Sequence, residues 1–177
     1  KPDLIILQYG LNIVKNVRDN YSYYEKGLIR QIEALKTASH GTPVMVVGVT
    51  DMADNENDTI NSYNNIPDII QSQKKAALAT GAYFWDPYSE MGGAGSIIQW
   101  SDRKPPLAQK DFVHFTYAGS DSLAGMLYAA IKREITLNTD SINQQAGATD
   151  STVTSEVTIG NVTNVTNPER GPVSTVL

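Results

Sequence analysis

The residues best suited to chemistry in this sequence are Asp111 and His114, which stand three positions apart within the run Asp-Phe-Val-His-Phe-Thr-Tyr. A short turn with this spacing can hold a carboxylate against one ring nitrogen of the imidazole. The other nitrogen is then free to take a proton from a nucleophile. Pairs of this kind also occur as helix caps or surface hydrogen bonds, so the pair alone indicates a structural role more often than a catalytic one.

Three short apolar runs predict the strands that position this pair, at residues 4–7, 44–48 and 83–85. Their hydrophobicity is continuous rather than alternating, which is typical of strands buried on both faces of a parallel sheet. Apolar residues at helical spacing predict helices over residues 23–38, 67–79 and 118–134, and residues 51–65 read as a polar loop. This alternation predicts a layered α/β domain with parallel strands.

The loops that follow these strands carry the polar residues. In open parallel sheets, ligands bind beyond the carboxyl ends of the strands. Asn12 follows the first predicted strand, and the long loop after the third strand leads to Asp111 and His114. We therefore expect these three side chains, which are distant in sequence, to meet at one edge of the sheet.

Two of these segments resemble ordered motifs of the SGNH (GDSL-type) hydrolases. Gly-Leu-Asn at residues 10–12 resembles the third block of that family, and Asp-x-Val-His-Phe-Thr-x-x-Gly at residues 111–119 resembles the fifth. Residues 82–86, residues 91–96 and Trp100 look like one branch of the family. These are exported bacterial esterases that act on O-acetylated polysaccharide, including peptidoglycan O-acetylesterases. The resemblance spans about residues 1–135.

The resemblance implies a fold and three catalytic roles. The fold is the three-layer α/β/α, flavodoxin-like parallel sheet, here over residues 1–137. His114 matches the general base, Asp111 the carboxylate that orients it, and Asn12 a side-chain donor to the oxyanion, an interaction typically worth about 3 kcal/mol. Asn12 also fits a simple turn residue after Gly10. Ile13 stands where the family usually has an acidic residue.

The family's nucleophile has no counterpart in this sequence. It lies in a Gly-Asp-Ser block after an earlier strand, and three residues before Leu4 leave no room for that block. Ser120-Asp121-Ser122 copies part of the block, but it falls in the first turns of the last predicted helix and is rejected. We therefore expect a C-terminal portion of the fold, with the serine and the N-terminal strands upstream, and exposed apolar surface near residues 4–7.

The expected substrate contacts are Gly10, Met91, Gly93 and Trp100, on the loops that border the predicted cleft. Met and Trp side chains on such loops fill the hydrophobic core about as often as they contact ligands. Asp51 or Asp86 with His114 is a poor metal site, because the spacing is irregular. We expect neither a metal nor another cofactor.

Composition narrows the classes of partner. The chain of 177 residues is 41% hydrophobic and carries a net charge of −5. The lack of a basic stripe argues against a nucleic-acid partner. No apolar run approaches the roughly 20 residues that span a bilayer, and the lack of cysteine excludes disulfides.

Residues 138–177 are rich in Thr, Ser and Asn and predict a linker or tail to another module, although spaced valines also allow a strand.

Taken together, the sequence predicts a serine ester hydrolase, with an O-acetylated carbohydrate as substrate and a periplasmic or secreted location. Two other functions stay open. One is a non-catalytic glycan-binding module of the same fold. The other is a generic flavodoxin-like small-molecule binding domain in which Asp111 and His114 are ordinary loop residues.

Overall fold

The computed structural model describes residues 2–56, 59–146, 157–159 and 162–164, with side chains as far as residue 137. In chain order the elements are β1 (Ile5–Gln8), a 3-10 turn (Leu11–Ile13), α1 (Ser22–Ala38), β2 (Val44–Val47), β3 (Ala53–Glu56), β4 (Thr59–Ser62), α2 (Ile66–Thr80), β5 (Tyr83–Trp85), α3 (Pro87–Met91), α4 (Ser96–Asp102), α5 (Tyr117–Ala146), β6 (Val157–Ile159) and β7 (Val162–Asn164).

The central sheet has the strand order β1-β2-β5, and both pairings are parallel. β1 lies against β2 from Ile5 opposite Val44 to Gln8 opposite Val47. β2 lies against β5, with Val47 opposite Trp85 at the carboxyl end. Because parallel strands need crossover connections, α1 and α2 link consecutive strands and return the chain to the amino edge. All three carboxyl ends therefore share one edge.

Alternate residues of the strands contact different helical layers. Val44, Val46 and Phe84 belong to a core cluster with buried residues of α1 and α2. Met45, Val47 and Trp85 pack instead with Ala130 and its apolar neighbours on α5. β2 is buried along its whole length. These two clusters, one on each side of the sheet, confirm the predicted three-layer α/β arrangement.

β1 differs from the prediction of a strand buried on both faces. Its burial alternates between half-buried and exposed residues, and Ile6 is 52% and Tyr9 50% exposed. Within the described part of the chain β1 pairs only with β2, so its other edge carries no strand. The expected exposed apolar surface is present here. It continues into a groove lined by Leu7, Tyr9, Gln31, Ala34, Leu35 and Ala38.

The long loops are more structured than the sequence indicated. The predicted polar loop at residues 51–65 contains the β3–β4 hairpin. The glycine-rich stretch after β5 contains the short helices α3 and α4. α5 continues to Ala146, past residue 134 where we expected it to end. β6 and β7 pair in antiparallel fashion, and the rest of the predicted linker lies outside the described residues, so that prediction stands as made.

A close backbone approach joins α5 to the loop before it. Gly119 is buried in the first turn of α5, and a Cβ atom placed there would lie 1.8 Å from the carbonyl oxygen of Leu107. No side chain fits at that distance. The helix can therefore approach the loop this closely only with glycine at position 119.

We predict that Gly119→Ala lowers the free energy of unfolding by roughly 1–3 kcal/mol, because the backbone must shift to admit a methyl group. Gly125→Ala is the matched control, since Gly125 lies in the same helix with nothing within 4 Å of the added Cβ. The control should be neutral or slightly stabilising. Urea denaturation of both variants measures the difference, and equal stability of the two would contradict the close approach.

Candidate active site

A reverse turn presents Asp111 and His114 beyond the carboxyl end of β5. The N–H of Gln109 donates to the carbonyl of His114 at 2.8 Å, and the N–H of Thr116 donates to the carbonyl of Leu107 at 3.0 Å. These two bonds fold residues 107–116 back on themselves. At the tip, Phe112 has a φ of 56°, a left-handed conformation that a bulky residue adopts only when its surroundings impose it.

The carboxylate of Asp111 supplies much of what holds this turn together. Its Oδ1 accepts the backbone N–H groups of Val113 and His114, both at 3.0 Å. Its Oδ2 lies 2.6 Å from Nδ1 of His114. Because an ionised carboxylate only accepts hydrogen bonds, Nδ1 carries the hydrogen and Nε2 faces away from the aspartate. The predicted Asp111–His114 geometry is therefore present in the fold.

These hydrogen bonds determine the ionisation of Asp111. The backbone N–H of His114 is the largest cause that lowers the pKa of Asp111, and the pKa falls to about 2, with further lowering from the imidazole and from the N–H of Val113. The pair is open to solvent, with 69% of the His114 side chain and 46% of the Asp111 side chain exposed. A hydrogen-bonded pair this exposed adds little to stability, about 0–1 kcal/mol even when the imidazole is charged.

Asn12 lies beyond the carboxyl end of β1. Gly10 has a φ of 113° and starts the 3-10 turn that contains Asn12. The turn opens on a cavity of about 320 Å³. The cavity is lined by Gln8, Tyr9, Gly10, Leu11, Asn12, Gly48, Val49 and Thr50. We call this space the strand-end crevice, since it lies where β1 and β2 separate. Asn12 is exposed at its surface.

The Asn12 turn and the His114 turn lie at the same edge of the sheet. Leu11 and Ile13, on either side of Asn12, pack against the same core cluster as Val113, the neighbour of His114. The carbonyl of Phe112 also accepts the N–H of Ala53, at the start of β3, which follows β2 in the chain. The strand-end crevice itself is lined by Asn12 but by neither Asp111 nor His114. The fold thus brings the two turns to one edge without placing all three side chains in one cavity.

Met91 and Trp100, which the sequence predicts to contact a substrate, expose little of their surface. Met91 is 7% and Trp100 is 4% exposed, and both belong to a core cluster beneath the His114 turn. The Trp100 ring meets Phe115 edge-on, with 5.8 Å between centroids. These side chains are packed against apolar neighbours, so most of their surface is used in the core. They support the His114 turn from below.

The two glycines predicted to bind substrate lie in different places. Gly10 lines the strand-end crevice. Gly93, with a φ of 78°, connects α3 to α4, and its carbonyl accepts the N–H of Ser96 at 3.1 Å. Gly93 is not among the residues that line the crevice. Its positive φ meets the requirement of this turn, and a role for Gly93 in substrate binding stays a prediction.

Two serines that resemble nucleophiles are engaged elsewhere. Ser96 is buried, and its hydroxyl donates to Asp51 Oδ2 at 3.4 Å. Ser122 donates to the carbonyl of Ala118 within α5, at 2.8 Å. Neither hydroxyl is bonded to His114. The rejection of Ser120-Asp121-Ser122 as a nucleophile block agrees with this geometry.

Sequence reasoning did not predict the hydrogen-bonding roles of two buried polar residues at this edge. Asp51 is fully buried, and its Oδ2 accepts the Ser62 hydroxyl at 2.9 Å and the N–H of Ile97 at 3.0 Å. Asp51 therefore ties the β3–β4 hairpin to the start of α4. Gln73 is fully buried on α2 and bonds to both loops of the crevice. The only sign of the role of Gln73 in the sequence is its position, a glutamine on the apolar face of an amphipathic helix.

Two further observations concern ligands and membranes. Across residues 2–56 and 59–137, no three His, Cys, Asp or Glu side chains are grouped so that they would hold a metal ion. Among the described helices, none combines the length and the apolar character needed to cross a bilayer.

No protein-family model and no curated protein sequence matches this chain. A solved structure described as a peptidoglycan O-acetylesterase in action is similar to it, with a TM-score of 0.66 and 23% sequence identity. The match covers 74% of this chain and 37% of the esterase chain. This chain therefore spans well under half the length of that esterase. At this identity the likeness shows the fold alone: an α/β domain of the flavodoxin-like kind, with helices on both sides of a parallel sheet.

We predict that the Asp111 carboxyl titrates near pH 2 in the folded protein, against about 3.9 for a free aspartate. Because the folded-state pKa is the lower one, Asp111 contributes stability above pH 4 and loses it as the pH falls from about 4 towards 2. Carbon-13 NMR of the carboxyl group measures the midpoint. In His114→Ala the midpoint should rise only partly, since the backbone donors remain. A midpoint near 4 in the unaltered protein would contradict the hydrogen bonding described above.

Proposed function

We propose that this chain forms the base, orienting and oxyanion portion of a serine-type ester hydrolase that removes acetyl groups from O-acetylated carbohydrate. The observation that carries the proposal is the pair itself. Asp111 Oδ2 lies 2.6 Å from Nδ1 of His114, and Asp111 Oδ1 is held by two backbone N–H groups. A carboxylate held in this way keeps the imidazole in the tautomer whose Nε2 can accept a proton.

The proposed nucleophile is a serine on a segment that precedes Lys1. The open edge of β1 supports this part of the proposal. Ile6 and Tyr9 are half exposed there, and an apolar groove continues beside them. A further parallel strand on this edge would cover Ile6, and its carboxyl end would fall next to the Asn12 turn. A hydroxyl carried on the following loop would then stand at the edge shared by Asn12 and His114.

The chemistry follows from these positions. Nε2 of His114 takes the proton of the serine hydroxyl as the oxygen attacks the acetyl carbonyl carbon. The side-chain amide of Asn12 donates to the oxyanion of the tetrahedral intermediate. The intermediate collapses to an acetyl-serine as its bond to the sugar oxygen breaks, and the imidazolium gives its proton to that departing oxygen, which leaves as a hydroxyl. Water, deprotonated by His114, then releases acetate and restores the serine. Asp111 stays ionised throughout.

The substrate class and location rest on the structural neighbour. That protein is described as a peptidoglycan O-acetylesterase, and the motifs at residues 10–12 and 111–119 resemble the same family. An acetylated wall polysaccharide is found outside the cytoplasm, so we propose a periplasmic or secreted enzyme. The alternative is a glycan-binding module of the same fold that lacks a nucleophile.

We predict that residues 1–177 alone do not form an acyl-enzyme with p-nitrophenyl acetate, whereas the protein expressed from its complete gene does. The reason is that the hydroxyl which accepts the acetyl group would be missing from the shorter chain. Intact-protein mass spectrometry after quenching detects the 42 Da adduct (the mass of an added acetyl group). An acetyl adduct on a serine of residues 1–177 would refute the upstream nucleophile. A full-length protein that binds glycan without forming an adduct would support the binding module.

In the full-length protein, His114→Asn should lower kcat for acetate release by at least about 10³-fold, because no other group takes the serine proton. His40→Asn is the matched control. His40 lies just after α1, before β2 begins, so it sits at the opposite edge of the sheet from His114. Its φ of 54° suits asparagine, and the control should keep its rate. Equal rates in the two variants would remove His114 from the mechanism.

Asn12→Ala should lower kcat by about 10²–10³-fold, as is typical when one oxyanion donor is lost, with little change in KM. The measurement is steady-state acetate release from acetylated glycan. Asn16→Ala provides the control, since Asn16 is exposed a short distance along the same loop and donates only a long bond to the Asn12 carbonyl. A fall in rate shared equally by both variants would indicate loss of the loop structure rather than of a donor.

A further inference from the structure

Gln73 is a polar side chain on the apolar face of α2, beneath the strand-end crevice. It is completely buried, and the buried positions around it on the helix include Ile69, Ile70, Ala76 and Ala77. A buried amide destabilises a fold unless its donors and acceptor are bonded. The bonds that Gln73 makes therefore explain its place in the core.

The Gln73 amide bonds to both sides of the crevice. Its Nε2 donates to the carbonyl of Tyr9 at 2.7 Å and to the hydroxyl of Tyr24 at 3.1 Å. Its Oε1 accepts the N–H of Val49 at 3.0 Å. The Tyr24 hydroxyl donates in turn to the carbonyl of Tyr9 at 3.1 Å. Both amide hydrogens of the glutamine are thus used.

These bonds lie where the ladder between β1 and β2 ends. The last paired residues are Gln8 and Val47, and the Tyr9 carbonyl and the Val49 N–H come just after them. The two strands separate here, so these backbone groups cannot pair with each other. The side-chain amide bridges them as an inserted peptide unit would. The amide therefore sets the separation between the Tyr9 carbonyl and the Val49 N–H.

The turn that carries Asn12 rests directly on this bridge. A Cβ atom at Gly10 would lie 2.3 Å from the Tyr24 hydroxyl and 3.1 Å from Nε2 of Gln73. The Gly10 backbone is therefore in contact with both side chains. Burial raises the pKa of Tyr24 to about 12, so this hydroxyl remains a donor across the pH range in which an esterase is assayed.

We propose that Gln73 is a positioning residue, which sets the separation of residues 10–12 from residues 48–50 and thereby aims the Asn12 amide at the oxyanion. This inference rests on the proposed esterase function. Gln73 itself touches no substrate. Its effect is exerted through the backbone of Tyr9 and Gly10, and it follows that it should affect the reaction only while Asn12 is present.

The test is a double-mutant cycle in the full-length protein, with rates expressed per folded molecule. Gln73→Met keeps the length of the side chain and removes its hydrogen bonds. It should lower kcat by about 10–100-fold, as expected for a misplaced catalytic group, with KM within about twofold because the oxyanion forms only in the transition state. In the Asn12→Ala background the same change should lower kcat by less than about threefold. Gln71→Met, an exposed glutamine on the same helix, should leave kcat unchanged.

A second variant covers the case in which Gln73→Met does not fold. Gln73→Glu keeps the shape of the side chain, and burial raises the pKa of such a carboxyl. When protonated, the carboxyl can still donate to the Tyr9 carbonyl; when ionised, it cannot. The ratio of its kcat to that of the unaltered protein should therefore fall as the pH rises, while circular dichroism shows an unchanged folded fraction.

The outcomes separate the inference from the proposed function. If His114→Asn and Asn12→Ala leave turnover unchanged, the esterase mechanism is wrong and the inference fails with it. If both lower turnover while Gln73→Met acts by the same factor with and without Asn12, only the positioning role is overturned. A pH-independent ratio for Gln73→Glu would also overturn it. Loss of the Gln73 effect in the Asn12→Ala background supports it.

Discussion

The parallel pairing of β1, β2 and β5 is the constraint on which the rest of this structure depends. Parallel strands place all their carboxyl ends at one edge, and backbone hydrogen bonding stops there as the chains diverge. Each strand is followed at that edge by a turn whose backbone groups need other partners. Side chains supply them: the carboxylate of Asp111 in the turn after α4, Asp51 beyond β2, and the amide of Gln73 between β1 and β2. The candidate site is therefore built from side chains that replace the backbone hydrogen bonds of the sheet.

The chemistry proposed for the protein follows from the same need. The carboxylate that satisfies two N–H groups of its own turn also fixes the imidazole of His114. One residue thus serves local backbone bonding and the orientation of a base. Because the pair is largely exposed, its contribution to stability is small, and covering it with substrate or with a preceding segment would strengthen the interaction by excluding water. The open edge of β1 lies beside the place where such a segment would sit.

The core beneath the edge is what keeps the turns in place. Trp100 and Met91 fill the space under the His114 turn, and Gln73 with Tyr24 fills the space under Gly10. The polar pair is fully bonded and the apolar pair is closely packed, so neither turn has room to move inward. A fold whose loops rest on packed side chains can hold three separate groups at one edge. The relative positions of these three groups are then determined by the sheet rather than by the loops.

The sequence by itself determined the three strands of the central sheet, the bounds of α1 and α2 to within about one residue, the α/β class and the Asp111–His114 turn. These features depend on local periodicity and on hydrogen bonds between residues close in the chain. Only the tertiary structure decided that β1 lies at an edge, that α5 continues to Ala146 and that Trp100 is buried. It also decided that Gln73 joins two loops more than twenty residues away along the chain. Burial and long-range bonding depend on which elements meet, and the spacing of residues within one element carries no information about that.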